Sequence, residues 1–193
     1  MPNRLILIRH AQPRVDSKTA SVEWALCDSG RTAAVALSLR LGRFAFRRIF
    51  SNPEAKAIGT AEAIATAFDL PVRVEHDLRE HERRTVGFLS RDAFEAGVAD
   101  FFRFPDARVF GDETATEAFR RFDRLLIRLR REEEDADIVA VTHGTVLSLY
   151  ASRICRLDAL AFWRGLTMPA AVLIEDDRLT PILPDGLKRA EQE

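Results

Sequence analysis

Two short runs without a polar residue, Leu5-Ile6-Leu7-Ile8 and Ile138-Val139-Ala140-Val141, constrain this chain more than any other feature. An apolar run without alternation predicts a strand buried on both faces, and burial on both faces belongs to mainly parallel sheets covered by helices. The residues between the runs supply such helices. Ala33, Ala36, Leu37, Leu39 and Leu41 fall in a helix-favouring stretch that Ser29 is expected to cap and Gly42 to stop. Ile49-Phe50 leads to Ser51-Asn52-Pro53, after which Ala55, Ile58, Ala61, Ile64, Ala65 and Phe68 recur at three- and four-residue steps. Pro71 ends that helix before a short strand, Val72-Arg73-Val74.

Further helices are expected over residues 91–104, over 114–133 with Ala118, Phe122, Leu125, Leu126 and Leu129 on the buried side, and from Gly144 through about Cys155. The acidic run 132–137 should end its helix in solvent. Residues 170–174 and 178–183 read as the last two strands, around a turn at Asp176-Asp177. The predicted fold class is therefore α/β: a three-layer open sheet, mainly parallel with an antiparallel edge, with helices on both faces. Residues 1–193 read as one domain. The irregular segment of about 76–112 is expected as a cover over a site more than as core, and about 185–193 as a polar tail.

Charge excludes some partners. Lys and Arg number 29 against 30 Asp and Glu, a formal net charge of -1, so nothing draws the whole molecule to nucleic acid or to anionic lipid. Any anion site has to be built locally. The longest apolar stretches are strand-sized, and Met1-Pro2-Asn3-Arg4 leads into one without a signal-peptide cleavage site, so the expected location is cytoplasmic. Cys27 and Cys155 are too few for a disulfide framework and read as packing residues. Trp24, Phe88, Phe101, Phe102 and Phe104 read as core or lid packing before pocket lining.

Each apolar run ends at a histidine: Arg9-His10-Ala11 after the first and His143-Gly144 after the second. In open α/β sheets ligands collect at the carboxyl ends of strands, so two histidines there can meet if their strands are neighbours. Imidazole is nucleophilic at neutral pH, and cations beside it offset the charge of a transferred phosphoryl group while disfavouring the protonated ring. Phosphoryl transfer is the chemistry that suits such a cluster.

At Arg9-His10-Ala11 and Val141-Thr142-His143-Gly144 the chain resembles the histidine phosphatase superfamily, which includes the cofactor-dependent phosphoglycerate mutases. Asp28-Ser29-Gly30-Arg31 is similar to the family's turn into its first helix. Ser51-Asn52-Pro53-Glu54-Ala55-Lys56-Ala57-Ile58-Gly59-Thr60-Ala61 resembles Ser-Ser-Pro-x-x-Arg-Ala-x-x-Thr-Ala. Leu78-Arg79-Glu80 is similar to the Leu-x-Glu block of the proton donor, and Gly111-Asp112-Glu113 to Gly-Glu-Ser. The likeness runs from Leu5 to about Ile174. It implies His10 as the phosphate-accepting nucleophile, Glu80 as the acid with Glu82 as its rival, and Arg9, Lys56 and His143 around the phosphoryl oxygens beside Gly144. It implies a small phosphorylated substrate, inorganic phosphate as product, and neither metal nor cofactor.

Three positions depart from the family pattern. Lys56 stands where an arginine is usual, which keeps the charge and loses the bidentate grip. Ala11 replaces glycine and requires negative φ. Asp16 takes the place of an asparagine that contacts phosphate in the mutases, with Arg14, Arg83 or Arg84 as the residues that could offset its charge. Rival functions are a mutase, a catalytically impaired module that binds a phosphorylated ligand, and a metallohydrolase built on His76, Asp77, Glu80, His81 and Glu82. The sequence fixes neither the substrate nor the oligomeric state.

Overall fold

The apolar runs become neighbouring parallel strands at the centre of a six-stranded sheet. The computed structural model describes residues 4–16 and 18–182. The expected tail, the last residue of the final strand and the first three residues lie outside them. β1 (Leu5–Arg9), α1 (Asp28–Leu41), β2 (Ile49–Ser51), α2 (Ala55–Thr66) and β3 (Val72–Val74) come first. α3 (Arg91–Arg103), α4 (Ala115–Glu132), β4 (Ile138–Thr142), α5 (Gly144–Cys155), α6 (Ala159–Gly165), β5 (Ala170–Glu175) and β6 (Arg178–Ile182) follow. The sheet order is β3-β2-β4-β1-β5-β6, parallel from β3 to β1 and antiparallel at β5 and β6. Asp176 and Asp177 both take positive φ in the turn between the last two strands, the conformation a two-residue hairpin demands.

Alternation along β1 divides the interior. Ile6 and Ile8 join Leu37 and Leu41 of α1 and Ala57, Ala61 and Ile64 of α2 on one face. Leu5 and Leu7 join Phe122, Leu125 and Leu126 of α4 and Val146 and Leu147 of α5 on the other. Successive strand residues point to opposite faces, so both faces need a helical layer. The segment of about 76–112, expected as a cover, sends Leu78, Val98, Phe101 and Phe110 into the second cluster, so part of it is core. Phe102 packs at the edge of that cluster, whereas Phe88 and Phe104 are exposed.

Three local expectations need correction. The cap of α1 is Cys27, not Ser29: its thiol accepts the Gly30 amide at 3.3 Å while contacting the Gln12 carbonyl at 3.3 Å. Cys27 therefore ties the loop after β1 to a helix start. Gly30 makes room for this, since a Cβ there would stand 2.2 Å from the Gln12 carbonyl oxygen. The acidic run 132–137 is only partly solvated. Glu133 is buried and ion-pairs with Arg48, and Asp137 accepts from the backbone amides of Arg4 and Ala45 and from the Arg4 guanidinium. Helix α6 was not anticipated; Asp158 caps it and it packs on α5 and α3.

Candidate active site

Register puts the two histidines together. β1 and β4 pair with Arg9 opposite Thr142, so the next residue of each strand leaves the sheet at the same edge. The His10 amide donates to the Thr142 carbonyl at 3.0 Å, and the two imidazole centroids lie 5.1 Å apart with planes at 66°. The rings come from residues 133 positions apart in sequence. Both are buried, with 8% of His10 and 2% of His143 exposed.

The hydrogen bonding of His10 selects one tautomer. Its Nδ1 lies 2.9 Å from the Ala11 carbonyl oxygen. A carbonyl only accepts, so Nδ1 carries the proton and Nε2 keeps a lone pair. Burial pushes the His10 pKa down to about 3, with His143, Lys56 and Arg9 adding to the effect and the Ala11 carbonyl opposing it. Burial likewise pushes His143 down to about 3; the Glu80 carboxylate opposes this, and Lys56, Arg83 and Arg9 add to it. Both rings are neutral at neutral pH, which suits a nucleophile. Ala11 is not among the positive-φ residues, and its amide donates to Thr60 Oγ1 at 2.9 Å. The methyl in place of the family glycine meets its backbone condition.

Arg9 reaches the site from the last residue of β1. Its Nη1 donates to the Leu166 carbonyl at 2.7 Å, just past α6, while its Nε is buried without a hydrogen-bond partner. Desolvation lowers the Arg9 pKa and Glu80 opposes it. The space that Gly144 leaves is taken by this side chain: a Cβ there would lie 3.1 Å from Arg9 Nε, 3.3 Å from its Cζ and 3.4 Å from Trp163 Nε1. Gly144→Ala is therefore expected to push the guanidinium aside by a few tenths of an ångström. Misplaced catalytic groups lose rate steeply, so kcat/KM for an aryl phosphate should fall roughly tenfold with little change in the urea midpoint. Unchanged steady-state kinetics would show that Arg9 has no required position.

Glu80 sits at the start of α5. Its carboxylate accepts from the amides of Thr145 at 3.1 Å, Val146 at 3.0 Å and His81 at 3.1 Å. Burial alone would raise its pKa, but His81, 3.6 Å away, and the Arg83 guanidinium leave it well below the usual range. Helix N-termini favour anions in the same direction. Glu80 is a carboxylate in the free protein. Behind it lies a network that sequence reasoning missed. Arg121 of α4 holds Glu113 with two bonds of 2.9 Å and also donates to the carbonyls of Asp77 at 2.7 Å, Arg79 at 3.2 Å and Glu80 at 3.3 Å. This buried fork fixes the path of the segment that presents Glu80.

Lys56, in the first turn of α2, is 6% exposed. Its Nζ donates to the Ser21 carbonyl at 2.6 Å and to Glu54, and lies 6.0 Å from the centroid of the Trp24 ring. Glu54 is the second residue that motif spacing does not single out: its Oε1 lies 3.5 Å from His143 Nε2. Arg83 is in the neighbourhood too. It stacks 4.8 Å over Phe94 and 6.0 Å over Phe110, keeps a buried Nη1 without a hydrogen-bond partner, and acts electrostatically on Glu80 and His143.

Other candidates lie elsewhere. Asp16 is exposed and closes a local turn, its Oδ1 accepting from the Lys18 amide and its carbonyl from Trp24 Nε1. Arg14 is exposed as well. Glu82 pairs with Arg79 and Arg84, so it does not compete with Glu80 for the histidines. The rival metal cluster is dispersed: His76 is exposed, Asp77 pairs with Arg79, and His81 is enclosed against Phe101 and Phe110. Among the described residues no three His, Cys, Asp or Glu side chains converge to hold a metal ion, and no helix is long and apolar enough to cross a membrane.

Residues 5–175 match the family model of the histidine phosphatase superfamily, branch 1. Solved structures share the fold. A mycobacterial glucosyl-3-phosphoglycerate phosphatase superposes with a TM-score of 0.72 at 21% identity, covering 93% of this chain and 96% of that one. YhfR of Bacillus stearothermophilus gives 0.71 at 17%, covering 96% and 98%. A phosphoserine phosphatase variant of Entamoeba histolytica, in complex with phosphoserine, gives 0.71 at 16%, covering 95% and 97%. No curated protein matches the chain by sequence.

Proposed function

The chain belongs to the histidine phosphatase superfamily, branch 1, and from that premise we propose that it hydrolyses a small phosphomonoester through a phosphohistidine on His10, without a metal. The observation that carries this reading is the fixed tautomer of His10, whose Nδ1–H is spent on Ala11 and whose Nε2 lone pair is left for phosphorus beside His143. Phosphatase activity among its structural relatives, including one solved with inorganic phosphate, is consistent with it.

In the first step Nε2 of His10 attacks phosphorus in line, the ester P–O bond breaks, and the leaving oxygen takes a proton from Glu80. In the second, water attacks the phosphohistidine, yields its proton to Glu80 and releases inorganic phosphate, restoring the neutral ring. Arg9, Lys56 and His143 surround the equatorial oxygens, where charge spreads in the transition state. Glu80 is ionised before substrate arrives. An anionic phosphoryl group beside it disfavours the carboxylate and raises its pKa, which is how the acid becomes loaded.

Rapid quenching during turnover of a ³²P-labelled monoester tests the pathway. An acid-labile, alkali-stable label on the protein is expected, and failure to find one during active turnover would refute the covalent route. Glu80→Gln tests the acid. A positioned acid contributes about 10²–10⁴-fold, so turnover of an alkyl phosphate should fall by that range. An aryl phosphate, whose leaving group needs no proton, should fall far less. Equal losses on the two substrates would remove Glu80 from the proton-transfer step.

A further inference from the structure

Glu54 occupies the N-cap of α2, yet its side chain makes no cap bond there. Its amide donates to Asn52 Oδ1 at 2.8 Å, and the carboxylate turns inward. Oε2 accepts from Lys56 Nζ at 2.5 Å, Oε1 lies 3.5 Å from His143 Nε2, and 16% of the side chain is exposed. A second bond, from Lys56 to the Ser21 carbonyl, anchors the ammonium and with it the carboxylate. A carboxylate built into an anion site changes which anion that site can hold.

The groups around it come from four elements: Lys56 from α2, Arg9 and His10 from the end of β1, His143 between β4 and α5, and Glu80 and Arg83 from the segment after β3. With both imidazoles neutral, the cations Arg9, Lys56 and Arg83 face the carboxylates of Glu54 and Glu80. Glu54 is paired with Lys56, so a phosphoryl oxygen that comes to this side of the site meets a carboxylate as well as a cation. Hydrogen bonding then decides which guest fits. An ionised carboxylate only accepts, and so does an unprotonated phosphoryl oxygen, so the two can be bonded only through a proton carried by the guest.

We propose that Glu54 reads the protonation state of the phosphoryl group: its carboxylate stays in the site and accepts a hydrogen bond from P–OH, so the enzyme takes the monoanion and rejects tetrahedral anions that carry no proton. This inference rests on the phosphoryl-site reading above. It adds a substrate form to that reading, because phosphomonoesters lose their second proton near about pH 6. Glu54 acts as a specificity determinant that sulfate, which carries no proton at neutral pH, cannot satisfy.

Calorimetric titration of the whole protein with methylphosphonate, whose dianion carries no proton, and with sulfate, at an acidic and at an alkaline pH, tests this. At the acidic pH the wild type should bind methylphosphonate at least about tenfold more tightly than sulfate, and the methylphosphonate affinity should drop as its second proton is lost. Glu54→Gln supplies a donor in place of the charge, so sulfate should gain about tenfold and the pH dependence should flatten. Equal affinities for the two anions in the wild type, or an unchanged ratio in Glu54→Gln, would overturn the assignment of Glu54 while leaving the phosphoryl site standing. Binding of neither anion would overturn the site itself and the inference with it. The wild-type comparison does not depend on the variant folding, and the urea midpoint of the variant identifies any loss of structure.

Discussion

His10→Ala is expected to lower kcat/KM by about 10⁴-fold or more and to abolish the acid-labile phosphoryl label, because removing the nucleophile of a concerted group forfeits nearly all of its advantage. The second ring does not substitute for the first. His143 is held beside Glu54 and within reach of the Glu80 field, and its Nε2 faces the Glu54 carboxylate at 3.5 Å. The fold should tolerate the change, since the His10 ring bonds to the carbonyl of the adjacent residue, Ala11, and not to a remote element. Steady-state kinetics with an aryl phosphate and far-ultraviolet circular dichroism measure both halves. A folded variant with activity within tenfold of the wild type would remove His10 from the chemistry. Added imidazole should restore part of the rate if the lost group is the attacking nitrogen.

Arg121→Ala should produce the largest loss of stability of any single change near the site. Arg121 and Glu113 are 5% and 8% exposed, and truncating one partner strands a buried carboxylate together with the carbonyls of Asp77, Arg79 and Glu80. Breaking a buried pair in this way costs about 3–5 kcal/mol. That is a large share of the roughly 5–15 kcal/mol that holds a typical protein folded. Urea unfolding measures it. Replacing both partners with apolar residues of similar volume should recover much of the stability, because the stranded charge is gone. Activity should not recover, because the donors that set the path of residues 77–80 are gone too. A single variant with an unchanged midpoint would mean that the network is not needed to hold this segment.

The central strands and the histidine at the end of each were legible because both depend on local pattern, whereas the meeting of the two rings needed β1 and β4 to be neighbours. A run such as Leu5-Ile6-Leu7-Ile8 has no polar face to present to water, and the strand-end rule then places whatever follows it at the ligand edge of the sheet. Helix α6 was not legible. Its seven residues are too few to establish a period, and its docking on α5 and α3 is tertiary. The first helix start was misread because Ser29 is the better cap by propensity, whereas the Cys27 thiol gains a second contact from the Gln12 carbonyl in a loop fifteen residues away. The acidic run looked like a solvated terminus because the partners of Asp137 are Arg4 and Ala45, which no window around it contains.

The candidate site divides along the same line. Motif spacing brought Arg9, His10, Lys56, Glu80, His143 and Gly144 into consideration, but it could not say what each touches. Glu54 and Arg121 carried no signal of their own: a glutamate beside a lysine and an arginine on a charged helix are what any exposed turn or helix offers.

The order of residues by itself determined that two strands would be buried on both faces and that each would deliver an imidazole to the same edge of a sheet, since hydrophobic pattern is encoded residue by residue. Only the folded chain decided that Nδ1 of His10 is committed to Ala11, that Glu80 is ionised on the amides of α5, and that Glu54 shares the site with Lys56. Those outcomes depend on burial and on distances of a few ångströms between remote residues, and electrostatic energies of that kind exist only once the chain has brought the groups together out of water.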